Sequence, residues 1–100
     1  MSSYDEIKLD YELADAMAKT FKHGSDQLEA TISEMKSLVG VLEGGALLGR
    51  GGSSFSDALT SKFNPALERL KAKFIELEAD VQSAITSMHE ADEKSKGMFN

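Results

Sequence analysis

The sequence has no cysteine, no tryptophan and a single proline, and each gap narrows what the chain can be. Without cysteine there is no disulfide framework, no thiolate zinc site and no cysteine nucleophile. No apolar run approaches the roughly 20 residues that a membrane-spanning helix needs, so stable membrane insertion is not expected. The opening MSSYDEIKLDYE carries acids where a cleaved signal peptide carries a basic cluster and an apolar stretch. Basic residues are the minority, 11 against 17 acids for a net charge of −6, which is the wrong sign for a nucleic-acid partner. With 100 residues, 41% of them apolar, the chain is one domain with a modest core.

Catalytic constellations are missing as well. The two histidines, His23 and His89, lie in different segments, and a hairpin whose turn centres near residue 49 puts position 23 opposite about position 75. No histidine pair forms for a metal or for a base and nucleophile. His89 and Glu93 share a helical face, but such a cluster reads as a solvated helix terminus and not as a metal site. The glycine-rich GGALLGRGGSSF lacks the lysine followed by serine or threonine of a phosphate-binding loop, and it follows a helical pattern instead of a strand. No enzyme activity, cofactor or metal is expected.

What is present is helical periodicity. Ala14, Met17, Phe21, Gly24, Leu28, Ile32, Met35, Val39 and Leu42 recur at steps of three and four, which lines them along one face of a helix. Leu9, Tyr11 and Leu13 alternate instead, so residues 7–13 read as an extended or frayed lead-in. Gly24 costs about 1 kcal/mol relative to alanine and marks a weak point or a close packing contact. A second stripe runs through Phe55, Leu59, Phe63, Ala66, Leu70, Phe74, Leu77, Val81, Ala84, Met88, Ala91 and Ser95. Met17, Met35 and Met88 read as core filler. Ser54 with Asp57 suits a capping box for the second helix. Pro65 predicts a kink, or a restart with Asn64 as N-cap. The expectation is an all-α antiparallel two-helix hairpin: a helix over about residues 8–43, a glycine-rich turn over about 44–53, and a helix over about 54–97. Leu47 and Leu48 either plug the end of the hairpin or form a sticky tip.

Helices of about 30 and 40 residues extend some 45 and 60 Å, and a two-helix rod shields only its facing seam. Both stripes are wider than a seam. Phe21, Leu28, Met35, Phe63, Leu70, Phe74, Leu77 and Val81 are therefore taken as a partner-binding stripe. The hairpin is expected to assemble, with itself or with another helical hairpin, into a four-helix bundle or helical heteromer.

The arrangement resembles the WXG-type small proteins of type VII secretion, which carry Trp-x-Gly at the hairpin turn with an aromatic a few residues on. Leu47-Leu48-Gly49 followed by Phe55 holds that spacing with leucine for tryptophan, and Leu42-Glu43-Gly44 is a competing alignment. The family's Tyr-x-x-x-Asp/Glu near the end of helix two is part of an export signal. Its counterpart here is Met88-His-Glu-Ala-Asp92 with Glu93 following, methionine standing for tyrosine, while a literal match, Tyr11-Glu-Leu-Ala-Asp15, lies at the other end of the chain. The opening EIKLDYELAD is similar to small helical proteins of the Gram-positive type VIIb system, some of which accompany LXG toxins. The resemblance implies a protein made in the cytoplasm and secreted without a cleaved signal peptide. It would dock on a helical hairpin, such as the N-terminal domain of an LXG toxin, and present a signal to the secretion ATPase. The competing class is a non-secretory coiled-coil adaptor or structural subunit, with the same hairpin and no dependence of export on Asp92.

Overall fold

The computed structural model describes residues 4–46 and 50–98, and every described residue lies in a helix or a widened helical turn. Helix α1 spans Tyr4–Val41. Asp5 and Glu6 sit in its first turn, where the positive end of the helix dipole favours acids. The helix includes residues 7–13, which corrects the expected lead-in. The alternation there has a helical cause: Tyr11 turns inward, while Leu9 and Leu13, four residues apart, share the exposed face.

A wide turn over Leu42–Ala46 ends α1, and Gly45, at φ 102° and ψ 12°, leaves the helical conformation there. That left-handed region is open to glycine at no steric cost. Helix α2 spans Arg50–Ala58, so it starts earlier than expected and contains Ser54, which is not its N-cap. Gly52, Ser56 and Leu59, at steps of four and three, are buried, and α2 packs on the Leu42–Ala46 turn. That packing overrides the poor helix propensity of the two glycines at 51 and 52. Leu47, Leu48 and Gly49 lie outside the described residues.

A second wide turn, Leu59–Phe63, joins α2 to helix α3, Asn64–Met98, with the Asn64 N–H donating to the Leu59 carbonyl five residues back. Asn64 has helical angles, φ −62° and ψ −44°, and so is not the N-cap of a restarted helix. Pro65 lacks an N–H, and its ring clashes with the carbonyl four residues earlier. The widened turn just before it accommodates both without a break in the helical chain.

The chain divides into two compact units. The first pairs α1 up to His23 with α3 from Ile75. Its inward positions on α1 are Ile7, Tyr11, Ala14, Ala18 and Phe21, and on α3 Leu77, Glu78, Val81, Ile85, Met88 and Asp92. Of these, Ala18 alone is fully buried.

The second unit, residues 24–74, holds the rest of α1, both turns, α2 and the start of α3. Ser25, Leu28, Ile32, Met35, Val39 and Leu42 continue the alternating steps of three and four on α1, the spacing of a coiled-coil seam. Ile32, 1% exposed, is the largest fully buried side chain among the described residues. A Cβ at Gly24 would come within 2.7 Å of the Phe74 ring, so this glycine marks a close packing contact. Lys71 donates to Glu29, and Lys36 lies 3.8 Å from Glu68, which fixes antiparallel pairing. The hydrogen bond from Lys71 holds the Glu29 carboxyl below its usual range and the Lys71 ammonium above its own.

Candidate functional site

The sequence offered two separate four-residue signals, and the structure takes one residue from each. Tyr11 faces inward from α1, and its hydroxyl donates to Asp92 Oδ2 on α3 at 2.5 Å. The Tyr11 ring also stacks on the His89 imidazole, with centroids 4.5 Å apart and planes 26° from parallel. Asp15, the acid of the literal match, instead meets Lys19 at 2.9 Å on the outer face of α1. Partial burial, then the bond to Asp92, then the negative charges of Asp92 and Glu93 push the Tyr11 phenol up to about 12. The phenol therefore stays protonated and remains a donor at any physiological pH.

Each residue reaches this point through its helical register. Tyr11 follows Ile7 by four and precedes Ala14 by three on the inward face of α1. Asp92 follows Met88 by four on the inward face of α3, both half-buried, while Glu93 is one step round and exposed. An open groove of about 970 Å³ adjoins the pair, with Tyr4 and Ile7 as apolar wall and Lys8, Glu93 and Lys96 at the polar edge. The ion pairs Lys8–Glu12 and Lys96–Glu93, both at 4.0 Å, are exposed and contribute little to stability. Among the described residues no group of three or more His, Asp and Glu is placed to hold a metal ion. The chemistry on offer is recognition: a phenol and a carboxylate held in one geometry beside an open groove.

The other residues singled out from the sequence fall in different places. Phe55 is exposed, and Leu47 and Gly49 lie outside the described residues. In the competing alignment, Leu42 is buried at the end of the α1 seam. Phe21, Leu28, Met35, Phe74, Leu77 and Val81 are half-buried by the chain itself, whereas Phe63 and Leu70 are exposed. The exposed apolar side chains also include Leu9, Leu13, Met17 and Ile75 in the first unit and Leu38 and Val41 in the second. Met17, read as core filler, thus points to solvent, and the small Ala18 takes the inward place. The Tyr11–Asp92 link was only roughly within reach of the sequence: the register that pairs position 23 with 75 sets Tyr11 opposite position 87, about one and a half turns from Asp92.

Compared with family profiles, residues 6–93 match WXG100, described as proteins of 100 residues with WXG. The chain belongs to the WXG100 family. WXG100 proteins are small, helical, non-enzymatic proteins secreted by type VII systems without a signal peptide, and they generally pair as helical hairpins. No helix among the described residues is long and apolar enough to cross a membrane. No curated protein and no solved structure matches the chain significantly. The family description includes WXG, yet this chain has no tryptophan.

Proposed function

We propose that this WXG100 protein is an export substrate or targeting partner of a type VIIb secretion system. It docks its helices on a second helical hairpin and presents Met88, Asp92 and Glu93 at the end of α3 to the secretion ATPase. The observation that carries the docking is the thinness of the first unit: among its described residues Ala18 alone is fully buried, while Leu9, Leu13, Met17 and Ile75 are each about half exposed. A helix pair that leaves four large apolar side chains in water is stabilised when a partner covers them.

Charge argues for a different chain over a second copy. Residues 1–23 and 75–100 hold 11 of the 17 acids and five of the 11 bases, so the whole net charge of −6 belongs to the first unit and residues 24–74 are neutral. A copy docked through the same unit would set like charge against like. A helical hairpin with a basic docking face suits this unit better. The test is secretion of the folded Met88→Ala, Asp92→Ala double variant, which is expected to stay in the cell. Undiminished secretion contradicts a signal at this end of α3.

A further inference from the structure

We infer that Tyr11 on α1 supplies the aromatic hydroxyl of the export signal whose acid, Asp92, lies on α3, so that the signal is complete only in the folded hairpin. The inference rests on the proposed role of the α3 end in export, and it goes beyond that role by making recognition depend on the fold. Met88 stands four residues before Asp92, where a side chain on the same helix face can reach the carboxylate, and methionine offers no donor there. The donor comes from across the hairpin instead: Tyr11, 81 residues away in sequence, gives its hydroxyl to Asp92 Oδ2 at 2.5 Å. The His89 ring, one residue after Met88, stacks on Tyr11 and fixes the phenol's approach.

The physical consequence follows from rotamer freedom. An aspartate on an isolated helix end samples several rotamers, and ordering it on binding opposes affinity. With Tyr11 in place the carboxylate is already ordered when a partner arrives. The phenol occupies one of the acceptor positions of the carboxylate, which has about four. The adjoining groove, walled by Tyr4 and Ile7, lies where a partner reads tyrosine ring and acid together. An unfolded chain carries the same letters and lacks this pairing. Tyr11 is in this sense a positioning residue: it acts through Asp92.

The experiment compares secretion and thermal stability for Tyr11→Phe, Asp92→Ala, and Tyr11→Phe combined with Met88→Tyr, each in the full chain. Tyr11→Phe keeps the ring and its stacking and removes only the hydroxyl. Secretion is expected to fall several-fold, the effect of having to order one side chain on binding, with the variant still folded although its melting temperature drops by several degrees with the lost hydrogen bond. Adding Met88→Tyr, which returns a hydroxyl to the same carboxylate from α3, is expected to restore secretion. Normal secretion of Tyr11→Phe beside failed secretion of Asp92→Ala overturns the composite signal and leaves a linear one. Failure of Met88→Tyr to rescue secretion in the folded variant overturns it in favour of a purely structural role for Tyr11. Normal secretion of Asp92→Ala removes the export role itself.

Discussion

At the residue scale, the bond between Tyr11 and Asp92 makes a prediction that needs no partner. The folded phenol is raised from 10.0 to about 12, so folding favours its neutral form. Its contribution to stability is complete below pH 10, and it is lost as pH climbs towards 12. In a Tyr4→Phe background the single remaining phenol should titrate near 12 when folded and near 10 in urea, followed by its ultraviolet absorbance. Tyr11→Phe should remove that part of the alkaline loss of stability. A second prediction concerns Gly24. Alanine there gains about 1 kcal/mol of helix propensity but drives a methyl group into the Phe74 ring at 2.7 Å, an overpacking cost of about 1–3 kcal/mol. Gly24→Ala should therefore be destabilising in urea melts, and pairing it with Phe74→Leu should recover part of the loss, a coupling that a double-mutant cycle measures.

At the element scale, α1 and α3 were legible in the sequence because apolar residues recur at three and four, and the antiparallel pairing followed from the short glycine-rich connection. Which side chains face inward was less legible. Periodicity counts apolar letters, so it chose Met17 over Ala18 and passed over Ser25, whereas the seam takes these small side chains along with Gly24. On α3 the seam includes Lys71 and Asp92, polar residues that a search for apolar stripes passes over, and each is matched by Glu29 or Tyr11 on α1. The start of α2 at Arg50 was hidden because glycine argues against helix, and only the packing of Gly52 and Ser56 at the turn reverses that. The widened turn before Pro65 was hidden because proline announces a disturbance without naming its form. Helix faces separate in their response to mutation. Ile32→Ala, at a site 1% exposed, should cost about 2–5 kcal/mol. Leu13→Ala, at a site 55% exposed, should change the stability of the free chain by no more than about 0.5 kcal/mol, and should weaken association instead.

At the scale of the whole molecule, charge and buried core are unevenly distributed, whereas exposed apolar side chains are not. The first unit carries all of the net charge, and the second is neutral and holds the larger buried core around Ile32, Leu42 and Leu59; Leu9, Leu13, Met17 and Ile75 are exposed in the first, and Leu38, Val41, Phe63 and Leu70 in the second. A partner of the first unit is therefore expected to be basic on the face it presents, and its association rate should fall steeply as ionic strength rises from about 0.01 to 1 M. Self-association through that unit would respond to salt in the opposite sense. Both expectations depend on one claim: the exposed apolar rows are covered in the working assembly. Native mass spectrometry of the chain purified from its producing cell tests this directly. The account predicts a species of fixed stoichiometry heavier than the 10.8 kDa chain, dissociated by Leu13→Glu with Phe63→Glu although the variant remains folded. A lone 10.8 kDa species, or an assembly indifferent to those substitutions, contradicts it.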